Sequence, residues 1–254
     1  MTLEFTRLSQ LTGDNKYYDA VQRITDILDR NQNRTKLPGL FPVLVSPLRE
    51  EFDGDTFTFG GMSDSLYEYL PKQHLLLGGL SDQYRQLYEG AIEPAKKHLF
   101  FRPMIPQSQN ILISGTVRTS SLGTIKLDPE GQHLTCFAGG MVALGAKIFN
   151  RTGDLDIARK LVDGCVWAYD SMPTGVMPET FKTIPCHSEE DCTWSTDRWH
   201  KVVEKAFSSD YPEGSDVREM IEAGGLQPGF TGINDPRFLL RYPSHLQPSA
   251  SRHY

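Results

Sequence analysis

The sequence lacks any long hydrophobic run, and this absence excludes the simplest class of membrane protein. No stretch among its 254 residues approaches the roughly 18 consecutive apolar residues that a membrane-spanning helix needs. The first residues, from Met1 to Arg7, also lack the basic segment followed by an apolar one that marks a signal peptide. We therefore expect no membrane segment within this chain.

Positive charge is limited as well. The chain has 26 Lys and Arg residues against 32 Asp and Glu residues, which gives a net charge of −6. A nucleic-acid-binding surface needs an excess of basic residues, so this balance argues against nucleic acid as a partner. Hydrophobic residues nevertheless make up 39% of the chain, and this fraction predicts a globular protein rather than a disordered one.

Cysteine is scarce, and its spacing does not fit a zinc site. The four cysteines form two groups: Cys136 with Cys165, and Cys186 with Cys192. Neither group has the short Cys-x-x-Cys type of spacing, and the histidines are not spaced as in zinc fingers. Spacing alone leaves two disulfides and four reduced cysteines both open. Two N-glycosylation sequons, at residues 33–35 and 150–152, favour a secretory-pathway protein.

Three segments of the chain repeat one order: an apolar helix end, a glycine, then Asp or Ser and a second helix. The glycines are Gly13, Gly79 and Gly153. A glycine after a helix adopts the left-handed conformation at no steric cost, and the Asp or Ser that follows caps the next helix. We therefore expect helix–turn–helix units that recur about every 70 residues, including the links between them.

Both helices of a unit are predicted to be amphipathic, and the first is the more apolar. This alternation predicts an inner and an outer ring of helices, an all-α toroid. Pro71 lies inside the predicted helix 65–77 and should kink or break it. Of the links, 36–58 allows short strands, 111–117 is expected to pair with 124–127, and 173–212 is interpreted as a surface insertion.

Asp64 is the most informative acidic residue, because it lies in the first turn of a predicted helix after a glycine pair. Glu68 follows four residues later and shares its helix face. An Asp in a first turn also complements the helix dipole and needs no other role, so both interpretations are open.

Further candidates lie at other helix ends or in adjoining loops, and they are Glu4, His133 and Glu179. A cap, a surface charge or a structural histidine explains each of them equally well. In a toroid, however, such ends surround one cavity. Several carboxylates around a cavity suit glycoside hydrolysis, in which one carboxyl protonates the leaving oxygen and another activates water or attacks carbon.

Four segments resemble blocks of the class I α-1,2-mannosidases, glycoside hydrolase family 47: residues 3–14, 58–70, 133–140 and 174–179. The resemblance runs in the family's order from Leu3 to about Arg241. It implies an (αα)7 barrel that removes α-1,2-linked mannose from high-mannose N-glycans with inversion. It also implies a calcium ion at the barrel floor, and a place in the endoplasmic reticulum or Golgi lumen or outside the cell.

The resemblance assigns roles to individual residues. Asp64 matches a catalytic carboxylate of the family. The residues that match mannose-binding positions are Glu4, Glu68, His133 and Glu179. Cys136 and Cys165 match the structural disulfide of the family. The Cys186–Cys192 loop resembles an insertion of filamentous-fungal members, and we expect these two cysteines to form a separate disulfide.

Departures from the family pattern qualify these expectations. A family domain is nearly twice as long, and the helices with its general acid would precede Met1. After Phe238–Arg241 the family continues with Pro-Glu and the general base, whereas this chain has Tyr242-Pro243. The threonine that binds calcium is absent, so we assign no metal ligand. We expect residues 1–241 to form about four of the seven hairpins, residues 242–254 to be an unrelated tail, and the chain alone to be inactive.

Two other functions are compatible with the sequence. The first is a non-catalytic module that binds mannose or serves glycoprotein quality control, but relatives of that kind lack the two cysteines that Cys136 and Cys165 match. The second is an inert fragment that does not fold alone. An open arc of hairpins exposes inner helices, and large exposed apolar surfaces of that sort mark aggregation or a missing partner.

Overall fold

The computed structural model describes residues 1–188, 191–212 and 214–234, and these contain eight α-helices. The helices are α1 Thr2–Thr12, α2 Lys16–Asn31, α3 Asp64–Leu76, α4 Asp82–His98, α5 Phe137–Ile148, α6 Asp154–Asp170, α7 Thr196–Phe207 and α8 Val217–Ala223. Consecutive helices pack in pairs, α1 with α2, α3 with α4, α5 with α6 and α7 with α8. The prediction of about four helical hairpins is confirmed.

Short strands fill the links between the hairpins. They are β1 Thr56–Thr58, β2 Phe100–Phe101, β3 Ile113–Ser114, β4 Thr116–Thr119, β5 Ile125–Asp128, β6 Glu130–Gln132, β7 Thr180–Thr183 and β8 Phe230–Asn234. They form three antiparallel sheets, in the orders β1-β4-β5, β2-β3 and β6-β7-β8. The predicted pairing of 111–117 with 124–127 holds from Thr116 onward, with Val117 opposite Leu127. Ile113 pairs instead with Phe101.

Helices α1 and α3 run parallel, as their polar contacts show. The Tyr69 hydroxyl donates to Glu4 Oε1 at 2.6 Å, and Gln73 Nε2 donates to Thr6 Oγ1 at 2.7 Å. Near the far ends, Gln10 Nε2 donates to the carbonyl oxygen of Leu76 at 3.4 Å. Because partner positions increase together along both helices, α1 and α3 point the same way.

Helices α3 and α5 are parallel neighbours too. The backbone N–H of Gly61, just before α3, donates to Gln132 Oε1, just before α5, at 3.0 Å. At the opposite ends, the rings of His74 and Phe149 lie 4.9 Å apart between their centroids. The first helices of three hairpins therefore stand side by side with their N-termini on one side, which is the order expected of an inner ring.

Two apolar cores lie between the elements. The first joins α2 to α6 and the first sheet, and its centre includes Leu40, Phe57, Tyr67 and Leu87. The Tyr67 hydroxyl lies inside this core and accepts a hydrogen bond from the Phe41 backbone N–H at 2.8 Å, which fixes α3 to the preceding link. The second core packs the C-terminal half of α6 against the last sheet, α7 and α8.

The interpretation of 173–212 as a surface insertion is wrong. This segment contributes β7 and α7, and α7 buries Trp199 and Val203 in the second core. The Trp199 indole N–H donates to the carbonyl oxygen of Phe230 at 2.7 Å. The two buried residues stand four positions apart on one face of α7, and Val202 packs against the same core.

The repeated turn is only partly as predicted. Gly13 and Gly79 adopt the left-handed conformation, with φ of 72° and 75°, but Gly153 has φ of −62°. In the third unit the left-handed residue is Asn150, with φ of 54°. Asn tolerates this conformation because its short polar side chain bonds locally, so the turn needs no glycine at that position.

The three residues predicted to cap helices, Asp14, Ser81 and Asp154, make different contacts. Asp14 Oδ1 accepts from the Lys16 backbone N–H at 3.1 Å, but the N-cap residue of α2 is Asn15, whose side chain makes no cap bond. Ser81 makes no side-chain cap bond, and Asp154 binds cationic side chains instead.

Pro71 does not break α3, which continues to Leu76. Because Pro71 is buried, packing outweighs its cost of roughly 3 kcal/mol. No helix of the described residues is both long and apolar enough to cross a membrane. The predicted boundary at residue 241 and the predicted tail at 242–254 lie outside the described residues.

Candidate active site at the helix N-termini

The predicted site residues lie where the parallel inner helices begin. Glu4 is in the first turn of α1, Asp64 is the first residue of α3, and His133 starts the 3₁₀ turn His133–Cys136 that leads into α5. We call the following five residues the N-terminal rim: Glu4, Asp64, Glu68, His133 and Glu179. Each helix N-terminus carries a partial positive charge of about half an elementary charge, so this side of the protein favours carboxylates and oxygen-rich ligands.

The Asp64 carboxylate is bonded to the backbone of its own helical turn. The residue is half-buried, and its Oδ1 accepts from the backbone N–H of Ser65 at 3.0 Å, within its own helical turn. A tight turn leads into it, since the backbone N–H of Asp64 donates to the carbonyl oxygen of Gly60 at 3.0 Å. Within the described residues, the carboxylate hydrogen-bonds to no other side chain of the rim.

The turn before Asp64 is closely packed at Gly60. A Cβ atom at this position would lie 2.2 Å from Gln132 Oε1, so any other residue would displace that amide. Gln132 thereby joins the loop before α3 to the end of β6, immediately before His133. Met62, in the same turn, has a left-handed φ of 73° and an exposed side chain. The segment that leads into α3 is therefore held in one conformation by its packing on Gln132, and it exposes one apolar side chain, that of Met62.

Glu4 and Glu68 are both engaged by neighbouring side chains. The Tyr69 hydroxyl bonds to Glu4 at 2.6 Å, which lowers the pKa of the Glu4 carboxyl and raises the pKa of Tyr69. The N-terminal ammonium, 3.7 Å from Glu4 Oε2, acts on the pKa of Glu4 in the same direction. Glu68 forms an ion pair with Lys72, one turn further along α3.

His133 and Glu179 meet through the backbone. The backbone N–H of His133 donates to the carbonyl oxygen of Glu179 at 2.8 Å, while the Glu179 side chain is exposed. The His133 imidazole Nε2 lies 2.7 Å from the hydroxyl of Tyr169 on α6. This arrangement leaves the Glu179 carboxylate available to a ligand and fixes the orientation of the His133 ring.

Both predicted disulfides are present. Cys136 bonds to Cys165 and so joins the start of α5 to α6, three residues after His133. Cys186 bonds to Cys192 in a separate small loop. The first disulfide fixes the segment that carries His133 to the helix that carries its hydroxyl partner.

Sequence reasoning missed the residues that position the rim, namely Tyr69, Gln132 and Tyr169. Tyr69 and Gln132 each adjoin a predicted site residue, Glu68 or His133, so closeness in sequence was a usable signal. Tyr169 is 36 positions from His133 and becomes its neighbour only because α5 and α6 pack together. No local pattern could have identified it.

The described residues do not fit the calcium site that the resemblance implies. No group of three or more His, Cys, Asp or Glu side chains in residues 1–188, 191–212 and 214–234 could hold a metal ion.

Comparisons with known proteins give one consistent result. The model of glycosyl hydrolase family 47 matches residues 1–243. The probable mannosyl-oligosaccharide alpha-1,2-mannosidase 1B of Aspergillus fumigatus is 33% identical over 196 residues, which are 75% of this chain and 38% of that protein. The endoplasmic reticulum mannosyl-oligosaccharide 1,2-alpha-mannosidase of Saccharomyces cerevisiae is 29% identical over 211 residues, covering 76% of this chain and 37% of that one.

A solved structure agrees with these relatives. The alpha-1,2-mannosidase from Trichoderma reesei matches with a TM-score of 0.64 and 27% identity, over 71% of this chain and 36% of that one. The predicted fold class, all-α and part of an (αα)7 barrel, is confirmed. The chain spans little more than a third of the length of the relatives it matches.

Proposed function

Because this chain belongs to glycosyl hydrolase family 47, we propose that it forms the mannose-binding part of an inverting α-1,2-mannosidase that trims high-mannose N-glycans. The observation that carries the proposal is the family match over residues 1–243 together with acidic and histidine side chains at three parallel helix N-termini.

Asp64 is the proposed catalytic carboxylate. Inverting hydrolysis uses two carboxyl groups on opposite faces of the sugar ring, one to protonate the leaving oxygen and one to activate water. Asp64 suits either role because its carboxylate bonds only within its own turn, so that a water molecule or a glycosidic oxygen can approach it. The second carboxyl group must come from a different residue.

The other four rim residues are proposed to bind mannose hydroxyl groups. Carboxylates accept hydrogen bonds from sugar hydroxyls, and such charge-assisted bonds are stronger than neutral ones. Tyr69 and Tyr169 act here as positioning residues, because they orient Glu4 and His133. The rim residues in this role are Glu4, Glu68, His133 and Glu179.

The proposed location is the lumen of the endoplasmic reticulum or Golgi, or the extracellular space. Two disulfides support it, since such bonds persist in oxidising compartments. A non-catalytic mannose-binding module is the weaker proposal. The similar proteins of Aspergillus fumigatus and Saccharomyces cerevisiae are named as mannosidases, which favours the enzyme. The Cys136–Cys165 pair also counts against a non-catalytic module.

A binding experiment tests the proposal on residues 1–254. Binding of α-1,2-mannobiose would be measured by NMR titration for the wild type and for Asp64→Asn, which removes charge without changing volume. Loss of one hydrogen bond to a charged group is expected to weaken binding by about tenfold or more. The matched control is Asp82→Asn, because Asp82 is the first residue of the outer helix α4 and is exposed.

The expected result is weaker binding for Asp64→Asn and unchanged binding for Asp82→Asn, with the same helical circular dichroism spectrum in all three proteins. Equal affinity of the wild type and Asp64→Asn for the disaccharide would overturn the assignment of Asp64. Absence of binding in the wild type at millimolar disaccharide would overturn the assignment of the rim as a mannose site.

A further inference from the structure

Of the two glycosylation sequons, one lies in a turn whose acceptor and hydroxyl residues are both exposed. Asn150 and Thr152 are both on the surface of the turn between α5 and α6. In the described residues, neither side chain hydrogen-bonds to the rest of the protein. A sequon acts as an acceptor only where the enzyme can reach it, which is why used sequons lie in surface loops.

The other sequon differs at its threonine. Asn33 is exposed, but Thr35 is only 5% exposed. The Thr35 hydroxyl lies 2.8 Å from the carbonyl oxygens of both Leu37 and Leu40. Gln32, immediately before Asn33, is buried too and donates to the carbonyl oxygen of Leu87 at 2.7 Å. The threonine of this sequon is therefore part of the folded core. Only an unfolded chain could expose Asn33 and Thr35 together to the glycosylating enzyme.

We propose that Asn150 is the N-glycan acceptor of this protein. The inference rests on the lumenal location in the proposed function, because the transferring enzyme and its donor lie in that compartment. In the reaction, Asn150 Nδ2 forms a bond to the anomeric carbon of the first N-acetylglucosamine of a lipid-pyrophosphate-linked oligosaccharide. The bond from that carbon to the pyrophosphate oxygen breaks, the lipid pyrophosphate leaves with the electron pair, and Nδ2 loses one proton.

The backbone around Asn150 presents the acceptor in one fixed orientation. Arg151 Nε donates to Asp154 Oδ2 at 2.8 Å, and Arg151 also pairs with Glu93 on α4. The Arg151 backbone N–H donates to the carbonyl oxygen of Ala146 at 2.8 Å, which closes the end of α5. Because Arg151 points inward to these partners, its neighbours Asn150 and Thr152 are left outside.

The position of Asn150 also keeps a glycan away from the N-terminal rim. Asn150 follows the C-terminal end of α5, whereas His133 precedes its N-terminal end. The 12 residues of α5 separate these ends by about 18 Å along the helix axis. An N-glycan on Asn150 is therefore compatible with an open mannose site, and the protein would carry the class of glycan that its relatives process.

The test expresses residues 1–254 behind a leader peptide in a eukaryotic host, so that entry into the lumen does not depend on native targeting. Protein from the microsomal fraction and from the medium is digested, and peptides containing Asn33 and Asn150 are analysed by mass spectrometry with and without peptide N-glycosidase, which leaves Asp at each occupied position. A Cys136–Cys165 linkage in the same digest shows that the chain reached the lumen.

The variants are chosen to spare the backbone. Asn150 is left-handed, so Asn150→Gln would introduce strain. Thr152→Ala removes the sequon and leaves Asn150 in place, Thr152→Ser retains the sequon, and Asn150→Asp removes the acceptor while keeping a residue that tolerates this conformation. The expected result is a glycan at Asn150 in the wild type and in Thr152→Ser, and none in the other two variants.

Unmodified Asn150 in protein that carries the Cys136–Cys165 disulfide would overturn the proposal. So would a glycan restricted to Asn33. Neither result depends on mannose binding, so the site assigned to Asp64 is judged separately by the disaccharide titration. The test remains valid if the protein is retained in the microsomal fraction, because glycosylation is measured in that fraction as well.

Discussion

Helices α3 and α6 both begin with an aspartate, and the surroundings of the two carboxylates differ in every respect. Asp154, at the start of α6, has a side chain that is 7% exposed, and it binds Lys96 Nζ at 2.9 Å and Arg151 Nε at 2.8 Å. Asp64, at the start of α3, is half-buried and bonds only to the backbone of its own turn. The same residue in the same helical position is fixed by two cations in one case and left open in the other.

This difference separates a structural carboxylate from a candidate functional one. A buried charge is tolerated when it is paired, and Asp154 belongs to a network of two acids and two bases that also includes Glu93. Asp64 has no such partner in the described residues, so its bonding capacity remains for a ligand. The sequence does not reveal this, because Lys96 lies 58 positions from Asp154.

The largest expected effect in this comparison concerns the covalent link beside the rim. Replacing Cys136 and Cys165 by alanine should lower the free energy of unfolding by about 3–4 kcal/mol, because the disulfide restricts a loop of about 30 residues in the unfolded chain. Urea denaturation under non-reducing conditions measures the change. The control replaces Cys186 and Cys192, whose smaller loop should contribute about 2 kcal/mol by the same relation. An equal loss from both double variants would contradict the expectation.

The next effect compares the two aspartates directly. Asp154→Ala should lower the free energy of unfolding by about 3 kcal/mol, because it leaves the partly buried Lys96 and Arg151 with Glu93 as their shared partner. Asp64→Ala should cost at most about 1 kcal/mol, which is the value of a carboxylate at a helix N-terminus. Urea denaturation of both variants at neutral pH distinguishes them. Similar losses would show that Asp64 is as structural as Asp154.

The sequence alone predicted the first three hairpins well, because they depend on local signals such as Gly13 and Gly79. It failed where distant residues decide. Residues 196–207 form a helix that is stabilised by burial of Trp199 against Phe230, 31 positions away. The rim residues themselves were found by local motifs, whereas the partner of His133, Tyr169, depends on how α5 packs on α6. Local sequence patterns therefore predict the helices and the candidate site residues. The side chains that orient those residues are determined by how the helices pack.

A smaller effect is expected from Tyr69→Phe, which removes the hydroxyl that bonds to Glu4. The pKa of Glu4 is lowered in the folded protein, so the bond stabilises the protein above the ordinary value of 4.5 and is lost as pH falls through the lowered value. In Tyr69→Phe the pKa of Glu4 should rise toward 4.5, with a stability change well below about 1 kcal/mol because the pair is exposed.

NMR titration of the Glu4 carboxyl between pH 2 and 6 measures this shift. Glu4→Gln is the control, since it removes the resonance and allows its assignment. An unchanged pKa in Tyr69→Phe would show that the Tyr69 hydroxyl is not the main cause of the lowered pKa of Glu4.

The last prediction concerns catalytic activity. A polypeptide of residues 1–254 should release no detectable mannose. Inverting hydrolysis needs two free carboxyl groups about 6.5–9.5 Å apart with a water molecule between them. On the rim, Glu4 is bonded to Tyr69 and Glu68 is paired with Lys72. Asp64 and Glu179 have no side-chain partner in the described residues, and since Glu179 is assigned to mannose binding, Asp64 is the one proposed acid–base residue. Loss of one general acid or base typically costs 10²–10⁴-fold in rate.

The assay incubates purified, monodisperse protein with α-1,2-mannobiose and calcium and detects free mannose by chromatography, with a full-length family 47 enzyme as positive control. Asp64→Asn is assayed beside the wild type. Mannose release by the wild type that Asp64→Asn abolishes would contradict this prediction, because it would mean that the rim already contains a complete acid–base pair. Asp64 would then have a working partner within these residues, and Glu179 would be the first candidate, since its side chain is exposed and His133 bonds only to its backbone carbonyl oxygen.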